Sequence, residues 1–114
     1  MFKEEEYHQI AVAQYLKLMH PDVLFTISPI TKLSIGQGTR MKAMGYKAGT
    51  PDMMIFRPNS KYRGLFLELK RPKGTVSKEQ KEFLANLLEE GYYAQVCYGS
   101  EQAIKVIKEY MRDK

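Results

Sequence analysis

The sequence has a single cysteine, Cys97, among its 114 residues, so no internal disulfide and no cysteine-based zinc site can form. It has no apolar run near the roughly 20 residues that span a bilayer. Its opening, Met1-Phe-Lys-Glu-Glu-Glu, carries three acids where a secretion signal carries bases, so a reducing cytoplasm is the expected setting. His8 and His20 do not stand at the i, i+4 spacing of a helical metal pair. Repeats, low-complexity tracts and linkers are absent. An apolar share of 44% against 27% charged residues excludes a disordered chain. A chain of this length buries roughly 65% of its unfolded surface, enough for one core and not two.

What is present in excess is positive charge, and it is concentrated. Between Ser28 and Lys73 stand ten bases and only two acids, Asp52 and Glu68, a net +8 in a chain of net +5. Such a field suits a polyanionic partner, above all nucleic acid, although lysine also serves plain solubility.

The order of elements follows from periodicity and punctuation. Glu4–Met19 has helical spacing and Pro21 stops it. Val23–Ser28 reads as a short strand. Thr31–Thr50, with four glycines, reads as a loop holding at most a helical turn at Arg40–Met44. Asp52–Arg57 and Gly64–Lys70 read as strands of a hairpin joined by the turn residues Pro58-Asn59-Ser60. Ser77 with Gln80 has the capping-box spacing at the head of a helix whose stripe is Phe83, Leu84, Leu87 and Leu88, with Gly91 at C′. Tyr92–Tyr98 is a further strand, with its tyrosines expected to pack the sheet, and Ser100 is expected to cap a last helix. The seven methionines are expected to fill gaps in the core. The order α-β-β-β-α-β-α predicts an α/β fold, a mixed sheet flanked by helices.

The strand Gly64–Lys70 alternates. Leu65, Leu67 and Leu69 take one face, while Phe66, Glu68 and Lys70 take the other. The hairpin brings Asp52 beside Glu68, within reach of one ion. Two such carboxylates stay ionised together only around a cation, and a hard, oxygen-liganded ion such as Mg²⁺ fits them. Lys70 cannot be a ligand while charged, but it can orient a water or offset charge on a phosphate. Each residue alone has an ordinary structural explanation: an edge ion pair, or a turn opener. Together, as the only acids of a basic stretch, they favour function.

Pro51-Asp52 followed by Glu68-Leu69-Lys70 resembles the PD-(D/E)XK nucleases. The blocks Met41–Asp52, Leu65–Arg71 and Ser77–Gln80 are similar to one family among them, the virus-type replication-repair nuclease (VRR-NUC) domain. The resemblance runs over nearly the whole chain as a single domain, residues 1–114, and implies a restriction-endonuclease-like sheet. It implies that Asp52, Glu68 and the Leu69 carbonyl bind metal, that Lys70 is the catalytic lysine, and that Gln80 faces the site. It also implies a first-helix glutamate four residues before a glutamine, which is Glu5 before Gln9, with Glu6 as the rival. The family often shows an asparagine near Ser28-Pro29, where this chain has none.

The expected function is therefore a Mg²⁺-dependent endonuclease, with Mn²⁺ as a substitute. It would act on branched or structured DNA as Holliday-junction resolvases do, in the replication or repair of a phage or bacterium. Lys32, Arg40, Lys42, Lys47, Arg71 and Lys73 would bind flanking phosphates. Symmetric cutting of two strands needs two such centres, hence an expected homodimer. The alternatives are a non-catalytic DNA-binding module and a sequence-specific restriction-type enzyme.

Overall fold

The computed structural model describes residues 1–28 and 34–114. Its elements are α1 (Glu4–Met19), β1 (Phe25–Ile27), α2 (Ile35–Ala43), β2 (Met53–Ile55), β3 (Leu65–Lys70), α3 (Lys78–Glu89), β4 (Tyr93–Tyr98) and α4 (Ser100–Arg112). The strands lie in the order β1-β2-β3-β4. β1–β2 and β2–β3 are antiparallel, the latter with Met53 opposite Leu67 and Ile55 opposite Leu65. β3 and β4 are parallel and linked by the crossover helix α3, as parallel neighbours require.

One face of the sheet makes the core. Leu65, Leu67 and Leu69 pack with Met53, Ile55 and Cys97 of the sheet, and with Val12 and Leu16 of α1 and Ala103 and Ile107 of α4. Burying this surface drives the fold, because apolar area removed from water contributes about 25 cal/mol per Å². The hairpin and its alternation are as expected. The methionine expectation is not met: of the seven only Met53 is fully buried, and Met1, Met19 and Met44 are exposed.

Two helix starts differ from expectation. Residues 35–43 are a helix of nine residues, not a loop. Ser34 Oγ accepts from the Gln37 amide at 3.2 Å, and Gln37 Oε1 accepts from the Ser34 amide at 3.0 Å, a complete capping box. The helix buries none of its residues, so no apolar stripe announces it, and Gly36 and Gly38 read as breakers. At α4 the N-cap is Gly99, at φ 95°, and Ser100 is the first helical residue. By contrast α3 starts and stops as expected. Ser77 and Gln80 exchange both capping bonds, and Gly91 at φ 94° ends the helix with its amide on Leu88 O and that of Tyr92 on Leu87 O, a Schellman motif.

Candidate active site

Asp52 stands one step before β2, and the register places it across from Glu68. Its Oδ2 accepts the Leu69 amide at 2.7 Å, while its own carbonyl accepts the Ser28 amide at 2.8 Å. The carboxylate therefore occupies the place on β3 that main chain would otherwise fill. The β3 carbonyls alternate in direction. Those of Gly64 and Lys70 accept from Tyr93 and Gly99 on the β4 side, so that of Leu69 points toward β2. The residue standing there is Pro51, which has no N–H to offer. The Leu69 side chain is in the core, so it is the main chain of Leu69 that lines the cleft, with a carbonyl the ladder leaves free.

On the opposite face from the leucines, Glu68 is only 3% exposed. Its Oε2 accepts from Gln80 Nε2 at 3.0 Å and lies 3.5 Å from Lys70 Nζ. Its Oε1 is buried and has no partner among the described residues. Burial, and next the charge of Asp52, push the Glu68 carboxyl up to about 8. Burial also raises Asp52, against the bond from the Leu69 amide.

Gln80 uses both ends of one amide. Oε1 accepts from the Ser77 amide at 2.9 Å, closing the α3 cap, and Nε2 donates to Glu68. One side chain thus closes the cap and faces the cleft at once. The head of α3 is set against the loop before β2 by Gly49, at φ 92°, where a Cβ would collide with the Glu79 carbonyl. The glycine of the Lys-Ala-Gly-Thr-Pro-Asp block thus lets the loop touch α3.

These groups line an open cleft of about 450 Å³ with Glu5 and Lys42 also on its wall. Glu5 is on the cleft, and its charge raises Asp52; Glu6 instead closes the start of α1, its Oε1 accepting from the Lys3 amide at 2.7 Å. The VRR-NUC domain model matches residues 8–101. The chain belongs to the VRR-NUC family. A solved structure titled "VRR_NUC domain protein" superposes with a TM-score of 0.82 at 28% identity, covering 98% of this chain and 91% of that one. No curated protein matches the chain. The α/β nuclease fold expected from the sequence is the observed one, and VRR-NUC membership makes this a nuclease-type domain.

The donors of this VRR-NUC cleft suit a hard cation. Asp52 and Glu68 give carboxylate oxygens and Leu69 a carbonyl that the ladder leaves free, and the buried Glu68 Oε1 has no hydrogen-bond partner among the described residues, which a bound cation would satisfy. Among the described residues no three acidic, histidine or cysteine side chains converge as a metal cage, so Glu5 stands off the central pair. Mg²⁺ tolerates that, since it keeps several waters.

The structure does not gather the sequence-predicted bases equally. Lys42 lines the cleft, and Arg71 and Lys73 are exposed in the turn after β3, directly beyond Lys70. Arg40 is exposed on α2. Lys47 lines a separate hollow with Phe83 and Tyr92, against α3. Lys32 lies outside the described residues. Tyr46, which the sequence reading did not single out, is also on the cleft wall, and nothing in its type or spacing signals it. Two of the three tyrosines expected to pack the sheet do so, Tyr93 on Tyr62 at 5.0 Å between rings and Tyr92 edge-on to Phe66 at 5.3 Å, whereas Tyr98, the last residue of β4, is exposed. No helix among the described residues is long and apolar enough to cross a membrane.

Proposed function

We propose that this domain is a metal-dependent endonuclease that hydrolyses phosphodiester bonds in branched or structured DNA. The observation that carries the reading is the juxtaposition in one cleft of Asp52, one step before β2, with Glu68 and Lys70 of the facing β3, where Glu68 Oε1 is buried with no partner among the described residues. Asp52, Glu68 and the Leu69 carbonyl would hold Mg²⁺, or Mn²⁺ in its place, with Glu5 acting through solvent. The bound ion would supply Lewis-acid polarisation of a phosphate oxygen and of a nearby water.

The remaining work falls to the chain's own residues. Lys70 Nζ orients the attacking water and offsets the charge that grows on the phosphate. Gln80 fixes the Glu68 carboxyl, so the oxygen facing the cleft does not rotate away. Lys42, Arg71 and Lys73 flank the cleft and position the DNA by its phosphates without reading bases, with Arg40, Lys47 and Lys32 extending the basic track. A homodimer would give two such clefts, one for each strand of a symmetric junction.

The test is cleavage of labelled four-way junctions with Mg²⁺ by wild type, Lys70→Ala and Asp52→Asn. The expected result is loss of cleavage by at least about 10²-fold in each variant, the scale of removing a positioned electrostatic group. Full activity in both variants overturns the mechanism.

A further inference from the structure

The start of α1 has little to hold it to the body. Residues 1–7 are exposed, and the first fully buried side chain on the helix is Val12. Lys3 bonds Glu6 and Phe2 packs on Tyr7, both local contacts. Yet this segment carries Glu5, on the cleft wall. A helix end without tertiary contacts frays.

One side chain ties it down. His8 Nδ1 accepts the Ser100 amide at 3.1 Å and lies 3.3 Å from Ser100 Oγ. Among the described residues this is the one hydrogen-bonded link from residues 1–8 to anything beyond α1. Ser100 is the first residue of α4, and its N-cap, Gly99, has no side chain to satisfy the free amides. His8 supplies the cap from another helix. Because an N–H donates to Nδ1, the ring proton is on Nε2, which stands 4.0 Å from Glu4 Oε2. The Gly99 amide in turn bonds the Lys70 carbonyl at 2.9 Å. Glu5 and His8 are three residues apart and share a face of α1.

We propose that His8 is a positioning residue: by capping α4 from α1 it locks the first turn of α1 and holds Glu5 at the cleft. This rests on the reading of the cleft as a divalent-cation site. Histidine suits the task because its ring is a rigid acceptor that reaches across a helix–helix gap.

The experiment reads Mn²⁺ affinity of the metal-free protein, from the electron paramagnetic resonance of unbound Mn²⁺, with folding followed by circular dichroism melts. Glu5→Gln and His8→Ala are each expected to weaken Mn²⁺ binding about tenfold, the scale of losing a group that orients a metal site. The double variant is expected to be no weaker than Glu5→Gln alone, because His8 acts through Glu5. His8→Asn, whose Oδ1 can accept near the place of Nδ1, should restore affinity. Ser100→Pro removes the amide from the partner side at a helix position that tolerates proline, so it should match His8→Ala and serves in its place should that variant fail to fold.

Unchanged affinity in folded His8→Ala or Ser100→Pro, an additive double variant, or no effect of Glu5→Gln overturns the proposal. Asp52→Asn separates it from the broader reading. If Asp52→Asn abolishes binding while the Glu5 and His8 variants do not, only the role of His8 falls. If wild type binds no Mn²⁺, the cation site itself falls, and this inference with it.

Discussion

Glu68 ties the stability of the domain to pH. Its carboxyl, ordinarily near 4.5, is held up to about 8 by burial and by Asp52. The folded state therefore binds this proton more tightly than the unfolded state. The stability it contributes is complete below about pH 4.5 and is lost as pH rises toward 8. Without metal, wild type is expected to lose melting temperature relative to Glu68→Gln across that interval, and millimolar Mg²⁺ is expected to cancel the loss. Parallel curves for the two proteins in thermal melts refute the assignment. Gln80 is the second decisive residue. A capping box accepts Glu as readily as Gln, but Glu there would bring a third negative charge against Glu68. Gln80→Glu should leave the α3 cap intact and shift the onset of Mn²⁺ binding to higher pH, as a pH titration of affinity would reveal. Asp52, Glu68, Lys70 and Gln80 were legible in the sequence because strand alternation and capping spacing fix their directions. The orphaned Oε1 was not, since one rotatable bond decides which oxygen meets a donor.

Among the elements, β2 owes its part in the site to the residue before it. Pro51 cannot complete the ladder, so the Leu69 carbonyl stays available. Pro51→Ala restores an N–H at that place and is expected to weaken Mn²⁺ binding while the fold persists, as affinity measurements beside circular dichroism would register; undiminished affinity counts against the carbonyl. Gly49→Ala presses a methyl onto the Glu79 carbonyl at a positive φ and should destabilise the domain by about 1–3 kcal/mol in urea unfolding, through strain of that kind. The hairpin, α3 and α4 could be read in advance, because burial imprints a period on their residues. α2 could not: it buries nothing, its only signature is the Ser34–Gln37 box, and its two glycines point the other way. The cap of α4 was hidden for a different reason. The acceptor, His8 Nδ1, lies 92 residues away in the chain, and no local pattern announces a contact of that span.

At the scale of the molecule, the basic stretch found in the sequence reaches the cleft wall through Lys42 and Lys70, with Arg71 and Lys73 exposed in the turn that follows β3. If all six proposed bases meet phosphates, the logarithm of DNA affinity should fall against the logarithm of salt with a slope of about −5, by counterion release. If Lys47, set against α3, stays apart, Lys47→Ala will leave that slope unchanged while Lys42→Ala reduces it by roughly one. The expected homodimer is decided by sedimentation at micromolar concentration, where a strict monomer refutes it.

The buried thiol of Cys97 gives the domain a clock of its own. It is fully enclosed between the sheet and its helices, and burial pushes it up to about 11, so a disulfide reagent meets neither an exposed nor an ionised sulfur in the native state. As no other cysteine competes, the labelling rate counts openings of the core, one chain at a time. An ion seated between the acids of β2 and β3 would slow that count without any substitution having been made.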